Sequence, residues 1–450
     1  MADGYFAGLG KALGLAKKLK MFKLKIIYFL LVYTFRGTFR RREALERFQQ
    51  RKWRRFRKKV LRRAPFYREL AQQQAQLADF PLMNKAAFMA SFDQINTLGI
   101  QREEAMQVAL QAELERDFSP ELKGATVGLS TGTSGTRGLF LVSTTERAQW
   151  TAMVLRRVVP IRLFKRQKVA FFLRANSNLY SSVQSASLEF RFFDIFQPIE
   201  KLLVALADFQ PHILAAQPSI LSAIAEAQLA GHINIQPHLL ISFAEVLNDA
   251  DKQFVQNTFP VPLREVYQCT EGFLAVTCAH GTLHLNEDVA IFEKKYLDES
   301  RFIPIITDFT RSSQPIVRYE LNDVLVEKKE PCPCGSCFTA LERIEGREDD
   351  ILVFPGADGG MIKVFPDLIC RVIARSTEGF RAYRLRQVGA LELQLELESE
   401  DFQAVSTTIR AALHDFLQEK EVSGLIIKCK QGIDRSAGEK LRRVERKLSN

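Results

Sequence analysis

The chain has no long apolar run. The most pronounced one, Ile26–Phe35, covers ten residues, whereas a helix needs roughly 20 to cross about 30 Å of hydrocarbon, so a transmembrane helix is not expected. Acidic residues are nearly missing from the first 70 positions: only Asp3, Glu43, Glu46 and Glu69 stand against 21 Lys and Arg, a net of +17. The remaining 380 residues carry 42 basic and 48 acidic side chains. The body is therefore mildly acidic, and the overall charge of +11 comes from the N-terminal arm. That asymmetry argues against a nucleic-acid binder that is basic throughout. Internal repeats and low-complexity tracts are lacking too, and 46% hydrophobic content with 26% charge suits a folded protein of more than one domain. Cysteines are few and odd in number, seven in all, with no secretory signal; this points to a reducing, cytoplasmic setting rather than a disulfide framework.

Within the arm, KLKMFKLKIIYFLLVYTFRGTFRRR places the apolar run between two basic clusters. A signal peptide is disfavoured, because Arg36 and Arg40 to Arg42 follow where small residues would mark a cleavage site. Three readings stay open: an amphipathic helix on an anionic membrane surface, a helix packed on the body, or a nucleic-acid arm. In the next segment Phe48, Trp53, Phe56 and Val60 recur at helical spacing among arginines, which predicts a docked helix with a solvated basic face.

Beyond the arm, strand and helix patterns alternate. Residues 168–175, 237–245 and 302–310 read as strands; EKLLVALADF, PSILSAIAEAQLAG and NDADKQFVQNTF read as helices. After 346–356 the alternation restarts on a smaller scale, with helices around 365–375 and 402–419 and strands in 383–398 and 425–430. The expected organisation is a basic arm (1–60), a large domain (61–347) and a small C-terminal domain (348–450), all of α/β class.

Two local patterns suggest chemistry. GLSTGTSGTRG at 128–138 lies between apolar runs. Its glycines let backbone N–H groups converge on an anion, with Ser130, Thr131, Thr133 and Ser134 as further donors; the other reading is a plain surface turn. No Gly-Lys-Ser/Thr follows, so it is not the P-loop of nucleoside triphosphatases. Farther on, CAHGTLH (278–284) and PCPCGSC (331–337) each offer closely spaced Cys and His side chains, the ligand types tetrahedral zinc takes; redox or merely buried thiols are the alternative.

Taken together, STGTSGTRG, AQPSIL (216–221), FAEVL (243–247), VYQCTEG (266–272), VRYELND (317–323), IEGREDDILVFPG (344–356) and AGEKLRRV (437–444) follow in an order that resembles the adenylate-forming superfamily. Within it, the phenylacetate-CoA ligase and coenzyme F390 synthetase group is most similar, over roughly residues 60–450. The resemblance implies a large multi-sheet α/β domain, a small α/β lid and an active site between them. It also implies ATP-dependent adenylation of a carboxylic acid, pyrophosphate release, and acyl transfer to CoA or another thiol such as that of a carrier protein. Adenylyl transfer that leaves an AMP-substituted product, and a noncatalytic nucleotide-binding relative, are the alternatives it leaves.

The same resemblance implies roles for individual residues. Ser130, Thr131, Gly132, Thr133, Ser134 and Gly135 would hold the β- and γ-phosphates, and Tyr267 would pack on adenine. Thr270 would lie near the α-phosphate and Glu271 would help hold Mg²⁺. Asp323 would accept hydrogen bonds from the ribose, with Arg347 and Glu245 at the same nucleotide. Asp349 would be the hinge, and Lys440 the C-terminal lysine that swings in for adenylation. Cys278, His284, Cys332 and Cys334 would hold a structural zinc ion, with His280 and Cys337 as spare candidates. Departures from the family pattern are Thr136-Arg137 after Gly135, Gln268 after the tyrosine in place of glycine, Phe243-Ala244 where two glycines often stand, and Asn322 before Asp323. Phe171, Phe172, Leu179, Tyr180, Phe190 and Phe192 fall where the acyl pocket is built, favouring an apolar or aromatic acid; ordinary core packing explains them equally well. No nucleic-acid partner is expected. Localisation is expected to be cytoplasmic, with the arm suiting the inner face of a membrane.

Overall fold

The computed structural model describes residues 20–36, 38–115, 117, 120–130, 138–159, 166–173, 188–356, 359–377, 379–434 and 442–447. A twelve-stranded mixed sheet forms its backbone. One half is parallel: Leu188–Asp194, Gln167–Leu173, Ile213–Ala216, Leu239–Phe243 and Leu263–Cys269 lie side by side in that order. Parallel neighbours require crossovers, and helices Ile199–Phe209, Pro218–Leu229 and Asp249–Thr258 supply them. Proline at the start of Pro218–Leu229 replaces an N–H that would have no helical partner, and the Asn248 side chain accepts from Asp251 N–H to cap Asp249–Thr258.

At Cys269 the chain turns back through Thr270 and Glu271 into Gly272–Thr277, and from there the sheet is antiparallel. The carboxyl ends of the parallel strands thus stop along one line, where ligands of open α/β sheets bind. A separate antiparallel sheet, Glu121–Leu122, Ala125–Leu129 and Leu139–Ser143, carries the loop 130–138 at its hairpin end.

From Leu352 on, the chain builds its own core. A four-stranded sheet (Ile426–Gln431, Glu392–Glu398, Ala382–Gly389, Val444–Arg446) packs with helices Pro366–Ser376 and Phe402–Glu419 around Ile369, Leu385, Leu395, Ile409 and Leu413. Within this sheet Arg384 is fully buried, its charge satisfied by Glu396 at 2.6 Å.

The arm forms two helices against the large sheet. Helix Arg42–Lys59 buries Leu45, Trp53 and Phe56, while Arg51, Arg54, Arg55, Lys58 and Lys59 face solvent. The helix at residues 20–36 buries Phe22 and Tyr33, with Ile26, Phe29 and Leu30 packed in the same cluster as Val158, Val169 and Ile241. The Tyr33 hydroxyl accepts from Gln149 Nε2 at 2.8 Å, and Arg36 and Arg157 both reach Asp288, at 3.2 and 2.6 Å. Burial opposes ionisation of Asp288, but the two guanidiniums outweigh it and hold the carboxyl below its usual range. Arg42 likewise pairs with Glu287 at 2.7 Å. Among the described residues no helix is long and apolar enough to cross a membrane.

Candidate active site

A cavity of about 1040 Å³ opens at the carboxyl ends of the parallel strands. Ser130, Glu245, Tyr267, Thr270, Glu271, Asp323 and Arg347 all line it. They come from four places in the fold. Tyr267 and Thr270 flank the end of the last parallel strand, and Glu245 follows Leu239–Phe243. Asp323 and Arg347, 24 positions apart, are direct cross-strand partners. Tyr267 donates its hydroxyl proton to Asp323 Oδ2 at 2.5 Å, and Thr270 Oγ1 donates to Glu271 Oε2 at 2.8 Å. Burial first and the Asp323 charge second push the Tyr267 phenol well above its ordinary range, so it stays a donor at any physiological pH. Glu245 accepts from the Ser219 backbone N–H at 3.3 Å, at the first turn of helix Pro218–Leu229.

Two of the sequence departures acquire shapes here. Ala244 has φ 68°, a left-handed conformation that glycine adopts without strain; the pattern's glycine is therefore geometrically intelligible at this position. Gln268 does not fill empty space: its Oε1 accepts from the indole N–H of Trp150 at 2.9 Å, and both residues line the cavity.

Ser130 and Gly138 pair where the described chain breaks off and resumes, the Ser130 backbone N–H bonding Gly138 O and its hydroxyl accepting from Gly138 N–H, both at 2.7 Å. Thr131, Gly132, Thr133, Ser134 and Gly135 lie outside the described residues, as do Lys440, Leu179 and Tyr180. Of the remaining aromatic candidates, Phe171 and Phe190 line the cavity, and Phe171 stacks on Phe243 with ring centres 5.0 Å apart. Phe172 does not: it points to the opposite face and stacks on Phe193 in the core under the crossover helices. Phe192 also falls outside the lining, farther along the edge strand.

Lys85, which sequence reasoning passed over, belongs to the site. It begins helix Lys85–Ala90, lines the cavity, and sits so near the Ser130–Gly138 pair that a Cβ on Gly138 would meet its Cε at 3.3 Å. Burial lowers its pKa while the Glu271 charge raises it. Nothing in the local pattern PLMNKAAF marks it, because its neighbours are brought to it by tertiary folding.

Asp308 is the other unforeseen group. It is completely buried at the cavity wall, accepts from Thr310 N–H at 2.7 Å, and lies so close to Gly272 that a Cβ there would stand 2.8 Å from its Oδ2. Desolvation raises its pKa to about 6. A folded-state value above the unfolded one means that the folded protein holds the extra proton between about pH 4 and pH 6. Stability from this group is therefore present below that window and lost as pH rises through it. Asp308→Asn is accordingly expected to stabilise the protein at pH 7.5 by up to about 3 kcal/mol, an advantage that shrinks by pH 5; urea unfolding at both pH values measures it.

The lid-side residues Pro366, Cys370, Arg442, Arg443 and Val444 complete the cavity. Arg443 reaches across to Asp251 at 2.8 Å, and Arg442 forks onto Asp350. Asp349 is hydrogen-bonded to the Asn322 side chain.

Away from the cavity, Cys278, His284, Cys332 and Cys334 come together, all four donor atoms within 4.8 Å of one another. Sulfur atoms of Cys278 and Cys332 are 3.7 Å apart, and Cys334 Sγ is 3.5 Å from His284 Nε2. A tetrahedral ion with Zn–S of about 2.3 Å and Zn–N of about 2.0 Å gives S···S and S···N edges of about 3.8 and about 3.5 Å, close to these separations, so the donor set fits zinc. The Nδ1 of His284 meets Phe338 O at 3.1 Å, which leaves Nε2 for the ion. His280 and Cys337 are not part of the cluster; Cys337 instead donates its backbone N–H to Phe39 O at 2.9 Å.

This architecture, a parallel half-sheet turned antiparallel beside a small α/β unit, is the fold seen in solved structures of acyl- and aryl-CoA ligases. No protein-family profile matches the chain. Protein CapK of Staphylococcus aureus is 27% identical over 201 residues, 44% of this chain and 43% of that protein. Phenylacetate-coenzyme A ligase of Thermus thermophilus is 22% identical over 237 residues, 47% of this chain and 51% of that enzyme. The chain thus matches about half the length of these curated relatives. Among solved structures, 2-hydroxyisobutyryl-CoA ligase in the postadenylation state with 2-HIB-AMP superposes with a TM-score of 0.61 at 19% identity, covering 90% of this chain and 88% of that one. The anthranilate CoA ligase AuaEII in complex with anthranoyl-AMP gives a TM-score of 0.51 at 11% identity, over 70% and 66% of the two chains.

Proposed function

We propose that this protein is an ATP-dependent acid–thiol ligase that works through an acyl-adenylate. The observation that supports it most is the convergence on one cavity of Ser130, Tyr267, Thr270, Glu271, Asp323 and Arg347, with Lys85 added by the fold. In the first step a carboxylate oxygen attacks the α-phosphorus of ATP, the bond to the bridging oxygen breaks, and pyrophosphate leaves. In the second a thiolate, that of CoA or a carrier protein, attacks the acyl carbon and AMP departs.

The obstacle to the first step is that one anion must approach another, and it is met by positive and hydrogen-bonding groups fixed in advance. Lys85, Arg347 and the loop beginning at Ser130 supply them, with Lys440 as the lysine expected to bridge carboxylate and phosphate. Asp323 would exchange its bond with Tyr267 for the ribose hydroxyls. Glu271, with Thr270 beside it, would hold Mg²⁺, whose charge would neutralise the departing pyrophosphate. Asp349, at the junction with the small unit, is the proposed hinge.

The acid is inferred to be apolar or aromatic, because Trp150, Met153, Val154, Phe171, Phe190 and Phe243 line the cavity beside Gln268. Cys278, His284, Cys332 and Cys334 would hold a structural zinc ion, since four protein ligands leave no open position. Carboxylate-dependent incorporation of labelled pyrophosphate into ATP tests this reading.

A further inference from the structure

Six of the sixteen large hydrophobic side chains most exposed among the described residues sit on one helix, that at residues 20–36: Met21, Leu24, Ile27, Tyr28, Leu31 and Phe35, between 50% and 84% exposed. At 100° per residue they fall within one stripe about 120° wide. The opposite side of the same helix is the one packed on the body through Phe22, Ile26, Phe29, Leu30 and Tyr33. The helix is thus apolar on both faces, and the described residues cover only one of them. Docking to the body, the bland explanation of the hydrophobic run, accounts for the inner face and leaves the outer one unexplained.

The charge around the outer face identifies its occupant. Lys20 and Lys23 are exposed at one end of the stripe, and Arg40 and Arg41 are exposed just beyond the other. Five lysines stand among residues 17–25, and no acidic residue occurs between Asp3 and Glu43. A second copy of this chain would bring that positive charge against itself. An anionic lipid surface satisfies both features at once: its acyl boundary takes the apolar stripe and its headgroups take the lysines and arginines. The helix, about 25 Å long, would lie along the surface, since its ten-residue apolar run is too short to cross. We propose that the helix at residues 20–36 seats the enzyme on anionic membranes through Leu24, Ile27, Tyr28, Leu31 and Phe35.

The test is sedimentation of the full chain with vesicles of equal parts phosphatidylglycerol and phosphatidylcholine, against vesicles of phosphatidylcholine alone. Binding is expected to the anionic vesicles and to weaken with salt. Lys20→Glu with Lys23→Glu should lower the partition coefficient about thirtyfold or more, and Leu31→Asp with Phe35→Asp more than about a hundredfold. Circular dichroism should be unchanged in both variants, because none of these side chains is in the core. Equal binding to neutral vesicles, or no vesicle binding together with self-association that Phe35→Asp abolishes, would overturn the proposal, the latter assigning the face to a second copy. The outcome is independent of whether the cavity adenylates acids.

Discussion

Lys440→Ala is expected to slow acid-dependent adenylation by about two to three orders of magnitude, the cost of removing one fixed charge-stabilising group. Transfer from preformed acyl-adenylate to thiol should stay near the wild-type rate. Lys440 lies outside the described residues, and its role here rests on the resemblance of AGEKLRRV at 437–444. Single-turnover assays of the two half-reactions, each started separately, would check the prediction. Equal loss in both would show that the lysine maintains the lid rather than serving adenylation.

Cys332→Ser should remove about one bound zinc per chain and lower the thermal midpoint by about 5–10 °C. The reason is where the cluster sits. Cys278 and His284 belong to the turn and strand after Gly272–Thr277, while Cys332 and Cys334 belong to the loop between Asp323–Glu327 and Ala340–Arg347. Crosslinking them would fix the strand pair that bears Asp323 and Arg347 relative to the strand that follows Glu271. The same knuckle receives the arm, through Phe39 against Phe338, Arg42 on Glu287 and Arg36 on Asp288. Loss of the ion should therefore loosen the N-terminal helices as well, which protease sensitivity near residue 40 would report. Metal analysis of wild-type protein that finds no zinc would remove this account of the four ligands.

Residue chemistry decided how much of this was legible beforehand. Cysteine and histidine are scarce and distinctive, so CAHGTLH and PCPCGSC could be paired across some fifty positions, and the fold brings four of their side chains together. The crossover helices and two of the five parallel strands, Gln167–Leu173 and Leu239–Phe243, were legible because Pro218, Asn248 and the apolar runs act locally; Leu188–Asp194, Ile213–Ala216 and Leu263–Cys269 were not read as strands. Phe172 was not separable from Phe171: a parallel strand is buried on both faces, so alternation cannot tell the cavity side from the core side. Lys85 and Asp308 carry no local signature: Lys85 meets Gly138 and the Glu271 charge, both more than fifty residues away, and Asp308 packs against Gly272, 36 positions before it. The two-faced helix was half legible. Its apolar run and basic flanks suggested both docking and a membrane, and only packing distinguishes the side that faces the body.

The central claim is that this cavity adenylates a carboxylic acid. It is tested most directly by exchange of labelled pyrophosphate into ATP across a panel of aromatic and aliphatic acids, with Lys440→Ala alongside. The account predicts exchange with apolar or aromatic acids that the variant loses by at least about a hundredfold. Measurable ATP binding with no exchange for any acid would contradict it.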